Sequence, residues 1–546
     1  MQKAAEDSFL PFSATRRLWA PLSVADARRP LRALQASLHT LSSRTHQLGA
    51  RLPAYFLTLS GTIPESLAVE IPPMWPVEYP LSGTFQNAFS LRCSGRRLSF
   101  EKAEEFWEDP GLTLEEQTEL HSFSWLGILA MIGDTPQRCL ARALISDWME
   151  RFSRISSPAW RPDVIGWRLS VWIQAYNFLA KTAGKDFRHA FLKHLSRQYR
   201  YLRRLTDLET ARLSDWPAVN GIFQATIALH GGNSPYLEKA VSHFSHALET
   251  QFSLEESYPW ELLEALRLLL DIRSALGWAS VPSSEAIDNT LRQLAARLRI
   301  LTHPDGGLSL LGSRCLPRKE MLELALTRVP GLMHHTMVAR PMPKFLAFKT
   351  ADYALFAEKE AFSPSLKAPF SPMNLEYSKR NTRLLLRTEV QILNDSFHGA
   401  PYGCATSVRI FPHLEMKSDT THCWIRGVAH WHLEGEPFRL SRRLLLDTEE
   451  QILCGEETLF SPLGFSTALL FTFLDRGALR LQGTQLSCAL PEQQTWCFSF
   501  SENFCAELRP GPSLLMEGTP IATKILALHF PWDAETSLLH WGLRTS

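Results

Sequence analysis

The sequence predicts a multidomain chain with both α and β parts: an incomplete α/α toroid followed by an antiparallel β-sandwich. Three observations predict it. The length, 546 residues, is too great for one ordinary compact core. Apolar residues recur every three to four positions from about residue 115 to 330. From about residue 345 the period shifts towards two. The expected division is a lead-in of one helix and short strands over 1–99, the toroid over 100–335 and the sandwich over 345–546.

In the front part, Leu120, Phe123, Leu126, Ile128 and Leu129 fall on one helical stripe. Ala141, Leu144, Ile145, Trp148 and Met149 repeat the spacing, and Val164, Leu169, Trp172, Ile173, Tyr176 and Leu179 continue it. The joints between these segments have turn chemistry, as in Gly133-Asp134-Thr135-Pro136, Gly184-Lys185-Asp186 and Gly231-Gly232-Asn233-Ser234-Pro235. Helices joined by such short loops pack as antiparallel pairs. No strict repeat of the tetratricopeptide or ankyrin kind is present, and the segment lengths vary, which a ring of hairpins tolerates better than a solenoid. Leu31–Leu52 reads as a helix and the stretch 79–96 as a short β-rich lead-in.

In the rear part, Arg383–Val390, Thr406–Phe411, Cys423–Val428, Phe438–Leu446, Ala468–Phe473 and Cys497–Phe500 read as strands. Turn residues separate the runs, the pattern of a sandwich or barrel. Pro341 and Pro343 mark the expected linker.

Composition excludes some functions. Lys plus Arg is 57 and Asp plus Glu is 56, so the net charge of +1 argues against a nucleic-acid-binding chain. No apolar run approaches the length of a membrane span. The nine cysteines are odd in number and carry no CxxC or CxxH spacing, as expected of free thiols in a reducing compartment. Glu6 and Asp7, with no apolar stretch before Arg28-Arg29, fit no secretion signal. The expected location is the cytoplasm, with the periplasm as alternative.

Several segments, in order, resemble the bacterial heparinase II/III-like proteins that lack a signal peptide. They are Tyr79-Pro80-Leu81-Ser82-Gly83, Phe106-Trp107, His121-Ser122-Phe123-Ser124-Trp125-Leu126, Asp147-Trp148 and Trp160-Arg161-Pro162-Asp163-Val164. Ser196-Arg197-Gln198 and His303-Pro304-Asp305-Gly306-Gly307 follow. In the rear part Gly427–His432, Arg442-Arg443-Leu444 and Gly455-Glu456-Glu457 are similar to further motifs of that family. The resemblance implies the toroid–sandwich fold and a lyase that cleaves uronic-acid glycans by β-elimination. Such an enzyme must neutralise the uronate carboxylate, remove the α-proton with a positioned base and protonate the leaving oxygen. In the resembling enzymes an Asn-type donor serves the carboxylate, Tyr and His serve as base and acid, and Arg or Lys lines the groove.

Carried over by position, that implies Asn220, Tyr258 and His430 as catalytic residues, with Gln251, Trp216, His398, Arg442 and Arg443 binding substrate. Each has a plainer reading: a polar helix-start residue for Asn220, a helix-capping packing residue for Tyr258, hydrogen-bonded structural imidazoles for the histidines, and helix-interface filling for the tryptophans. The expected partner is an acidic polysaccharide or oligosaccharide, with no cofactor. His430 and His432, two apart on a strand, point to one face and leave a structural metal ion as an open alternative. Arg197, Arg200, Arg203 and Arg204 form a basic helix stripe, read as a solvated face or an acidic-glycan groove. Pro304-Asp305-Gly306-Gly307 is a turn, because no Lys-Ser/Thr follows the glycines. The chain departs from the family where an Asp-Gly-Gly-His turn is missing near Tyr258, and where Ser441 precedes Arg442-Arg443 in place of histidine. Those departures keep a second reading in view: a glycan-binding or scaffold protein of the same fold, without turnover, in envelope or exopolysaccharide metabolism.

Overall fold

A computed structural model describes residues 58–76, 89–93, 96–100, 106–107, 111–250, 252, 257–311, 315–316, 319–331, 338–341, 345–358, 375–379, 382–393, 413–433, 436–461, 466–474, 478–489, 495–516, 519–530 and 536–545. A hairpin of β1 (Phe89–Cys93) and β2 (Arg96–Phe100) lies within the expected lead-in. The expected helix Leu31–Leu52 and strand Thr406–Phe411 lie outside the described residues.

The helical part runs α1 (Leu114–Ser122), α2 (Leu126–Ile132), α3 (Thr135–Arg151), α4 (Pro162–Gln174), α5 (Tyr176–Ala180), α6 (Lys185–Leu205), α7 (Trp216–His230), α8 (Pro235–Thr250), α9 (Pro259–Trp278), α10 (Glu285–Ile300) and α11 (Lys319–Thr327). The turn chemistry acts as read: Gly133 ends α2 at φ 74°, and the Asp134 side chain accepts from the Gln137 N–H to open α3. One expectation fails. The stripe Leu120–Leu129 is two helices, because Phe123 adopts φ 65° and closes α1. The Trp125 indole N–H then bonds back to the Leu120 carbonyl at 3.1 Å.

These helices pack in two rows. Helices α1, α4, α7, α9 and α11 follow one another side by side, and α6, α8 and α10 pack behind them. Helix α7 is buried on every side from Trp216 to Leu229, as a helix packed among others must be. It meets α4 almost backbone to backbone. A Cβ on Gly166 would sit 2.1 Å from the Pro217 carbonyl oxygen, so only glycine fits there.

Several tryptophans gather at one place in the helical core. Phe106, Trp107, Phe123, Trp125, Trp148 and Trp172 form a buried aromatic cluster with ring centroids mostly 5–6 Å apart. Arg168 is fully buried beside them, its guanidinium 4.2 Å from the Trp148 ring centroid and hydrogen-bonded to Gln198 and to the His121 carbonyl. His121 stacks on Trp107, and burial with the Arg168 charge nearby pushes its pKa down to about 3.

The basic stripe of α6 is neither simply solvated nor a groove. Arg200 donates to the carbonyls of Leu59 and Thr62, and Arg204 to that of Thr58. The segment 58–76 is thereby strapped across the helices, and the Ala68 N–H bonds the Ala228 carbonyl.

The rear part holds two sheets. One has nine strands in the order β3 (Cys315–Leu316), β17 (Cys505–Met516), β18 (Thr519–His529), β13 (Ser466–Leu474), β8 (Thr382–Leu393), β7 (Leu375–Lys379), β6 (Tyr353–Glu358), β5 (Phe345–Lys349) and β4 (Val338–Pro341). The other has eight: β14 (Ala478–Gln482), β15 (Gln485–Ala489), β16 (Thr495–Phe500), β19 (Thr536–Thr545), β12 (Ile452–Phe460), β11 (Glu436–Asp447), β10 (His422–Leu433) and β9 (His413–Ser418). Neighbouring strands are antiparallel, except that β3 pairs in parallel with β17. Pro341, expected in a linker, instead ends edge strand β4, a position where proline costs no ladder bond.

Inner faces of the two sheets share one hydrophobic core, where Phe471 of one sheet meets Phe498 and Trp541 of the other. The outer face of the nine-stranded sheet meets the helices at β5 and β6: Ala347, Ala354 and Phe356 join the helical core, while their neighbours Leu346, Phe348 and Leu355 join the core between the sheets. The order of layers is therefore helices, nine-stranded sheet, eight-stranded sheet. At the first boundary, the turn after α10 places His303 against β7. Its Nδ1 lies 2.7 Å from Ser378 Oγ and its Nε2 3.1 Å from Glu376 Oε2. The Leu310 N–H bonds the other Glu376 oxygen.

Candidate active site

Tyr258 precedes α9, half-buried, at a helix start fixed by Pro259 and by the Glu261 carboxylate, which accepts from the Tyr258 N–H at 2.7 Å. Successive turns below it carry Glu261, Glu264, Arg267 and Asp271, polar positions on a largely apolar helix. This stripe is capped by Trp75 of the strap. Its indole N–H donates to Asp271 Oδ1 at 2.8 Å, and the Arg267 and Arg328 guanidinium groups each lie 5.2 Å from its ring centroid.

The electrostatics of the stripe are unusual for a helix surface. Burial pushes the Asp271 carboxyl up to about 7, against the opposing pull of Arg267, the Trp75 hydrogen bond and Arg328. Burial also raises Glu264; Arg267 opposes the shift, and the neighbouring Glu261 and Asp163 carboxylates add to it. A tyrosine, two carboxyls with raised pKa and two guanidinium groups are thus set along α9, with Arg267 half a turn round the helix from Tyr258. Such a set can move protons near neutral pH and hold an anion. Only Tyr258 of this set was anticipated. The signal for the others was legible, since polar residues at 261, 264, 267 and 271 interrupt an apolar helix at spacings of three and four.

The other expected residues do not gather around Tyr258. Asn220 is fully buried between α7 and α4, donating to Ser170 Oγ at 3.2 Å and accepting from Gln224 at 3.1 Å. Its amide holds two helices together where a cleft role was expected. His430 is exposed on the eight-stranded sheet, on the face turned away from the shared core, and the nine-stranded sheet stands between that core and the helices. It therefore leaves the expected constellation.

Trp216 is buried against Phe244 and Phe252, which corrects its assignment to substrate binding. Arg442 is also corrected. It points between the sheets, where Nε meets Glu457 Oε1 at 2.6 Å with both side chains fully buried. Arg443, one residue on, faces outward and pairs with Glu456 at 3.1 Å. Gln251 and His398 lie outside the described residues, as does the side chain of His432, the second histidine of the metal alternative. Among the described residues no group of three or more His, Cys, Asp or Glu is arranged to hold a metal ion. No described helix is long and apolar enough to cross a membrane.

No family model matches the chain, and no curated protein sequence matches it significantly. Its fold does have solved relatives. A structure of the Heparinase III-BT4657 gene product matches 81% of this chain and 80% of its own length, at 10% identity and a TM-score of 0.52. A second structure of that protein, with methylated lysines, matches 84% and 82% at 9% identity and a TM-score of 0.50. The heparan sulfate lyase HepC from Pedobacter heparinus matches 84% and 81% at 9% identity, with a TM-score of 0.45. At such identities the likeness is one of fold: helices followed by antiparallel sheets, in the heparinase III manner.

Proposed function

We propose that this chain is a polysaccharide-lyase-like protein that acts on uronic-acid-containing glycans by β-elimination, on a scaffold of incomplete α/α toroid and β-sandwich. The observation that carries the reading is the fold likeness to heparinase III over about four-fifths of both chains. The α9 stripe adds chemistry that suits it. Tyr258 is the proposed acid/base: as phenolate it takes the α-proton, and as the resulting phenol it gives that proton to the leaving glycosidic oxygen. Arg267, nine residues or two and a half turns along the helix, faces the Trp75 side and is given no part in this step. The raised carboxyls of Glu264 and Asp271 place less negative charge beside an anionic substrate than ordinary carboxylates would.

Tyr258→Phe tests the assignment, because it deletes one hydroxyl and keeps the ring. Turnover of a uronate glycan, followed by the ultraviolet absorbance of the unsaturated product, should fall about 10²–10⁴-fold with binding retained. Equal turnover by wild type and variant would remove Tyr258 from the chemistry and leave the lyase reading to stand on its product alone.

A further inference from the structure

We infer that the outward face of the eight-stranded sheet is a second, non-catalytic binding surface for an acidic oligosaccharide. The inference shares with the proposed function only the class of ligand. It rests on a groove of about 580 Å³ lined by Trp424, Arg443, Cys454, Glu456, Ser499 and His540, a volume in the range of ligand sites.

Strand register explains why a groove forms there. One row across the sheet reads Lys417, Trp424, Leu445, Cys454, Gly542 and Ser499. Trp424 stands at one side of this row, whereas Gly542 contributes no side chain and Cys454 only a small one, so the row sinks between its neighbours. Trp424 is 42% exposed, a large apolar ring left in water. It is braced by His422, stacked at 5.3 Å and 17°. His422 is itself held by Asp419 and Asp447. A braced, exposed indole offers a flat apolar surface to the C–H face of a sugar ring.

The adjoining row reads Glu415, Arg426, Arg443, Glu456 and His540. It supplies hydrogen-bonding side chains next to that platform. At the described strand positions of this face Lys417, Arg426, Arg439, Arg443, Arg480 and Arg544 stand against Glu415, Asp447 and Glu456, with Asp419 in the adjoining turn. The whole chain is almost neutral, so this excess is a local field, and its sign selects an anionic ligand. Arg443 and Glu456 pair within the groove, so a carboxylate or sulfate would compete with Glu456 for the guanidinium while Glu456 turns to sugar hydroxyls.

The test uses the whole chain and a heparin hexasaccharide as probe, with hydrogen–deuterium exchange to locate binding and calorimetry to measure it. Protection should appear in peptides covering 422–433, 452–460 and 536–545. Trp424→Ala should weaken binding at this face about tenfold or more, a change of about 1.4 kcal/mol, and Trp424→Phe should restore part of it. Arg443→Gln should weaken it too and flatten its salt dependence. Trp424→Ala should leave turnover of short uronate oligosaccharides unchanged. Absence of protection on these strands overturns the inference, as does full binding by a folded Trp424→Ala protein. Equal protection by cellohexaose overturns the acidic class of ligand. None of these results depends on whether an unsaturated product forms, so the two readings fail separately.

Discussion

His303 and Glu376 meet across the boundary between the helices and the nine-stranded sheet, Nε2 to Oε2 at 3.1 Å, both side chains almost completely buried. Ser378 holds the other ring nitrogen, and the Leu310 N–H holds the other carboxylate oxygen. Each link joins the loop after α10 to strand β7, so the contact fixes how the two parts sit together. Substituting His303 by Ala leaves Glu376 and Ser378 without it in a place water does not reach. The expected loss is about 1–3 kcal/mol, read as a lower midpoint in urea, with the helical and sheet signals separating into two transitions. An unchanged single transition would show that the junction is held by its apolar contacts alone.

Arg442 and Glu457 form a buried pair inside the sheet core, with the Trp541 indole N–H donating to the same carboxylate at 3.2 Å. Removing one charge strands the other. Arg442→Ala should cost about 3–5 kcal/mol, whereas the double change Arg442→Met with Glu457→Leu should recover most of it. Denaturant unfolding of the three proteins decides the matter; a double variant no better than the single would mean that the pair's shape, more than its charge, is irreplaceable.

Asp271 should impose a pH dependence on stability. Its folded-state pKa of about 7 lies above the ordinary value of 3.8, so the folded chain holds this proton more tightly than the unfolded chain. The contribution is full below about pH 4 and is lost as pH rises towards about 7. Asp271→Asn keeps a partner for the Trp75 N–H and cannot ionise. Its melting temperature relative to wild type should therefore climb between pH 4 and 7. A constant difference across that window would place the titration elsewhere.

The change of period near the middle of the chain was legible, because a helix and a strand each repeat their buried face at a spacing that backbone geometry sets. The joints at Gly133-Asp134 and Pro235 were legible for the same local reason. The site was less so. Asn220, Trp216 and Arg442 are polar or aromatic residues of kinds that also serve clefts, and only packing reveals that α7 is buried all round and that Arg442 points inward. His430 carried the motif, but burial alternates along β10, and Ala429 takes the inward place. The stripe below Tyr258 depends on Trp75 and Arg328, far away in sequence, and no local pattern places them over Asp271. Arg200 and Arg204 read as a free basic face because their partners are backbone carbonyls of residues 58–62, to which side-chain spacing gives no clue.

The most direct measurement is product formation by the unmodified chain on a panel of uronate polymers, heparan sulfate and alginate among them, followed by ultraviolet absorbance and by mass analysis of the fragments. The account predicts new chain ends that carry an unsaturated uronate on at least one polymer, formed without net consumption of water, as β-elimination requires. Fragments that have gained water would contradict it by showing hydrolysis. Polymers left intact across the panel, in the presence of measurable binding, would contradict it as well, and would leave the fold serving glycan recognition without turnover.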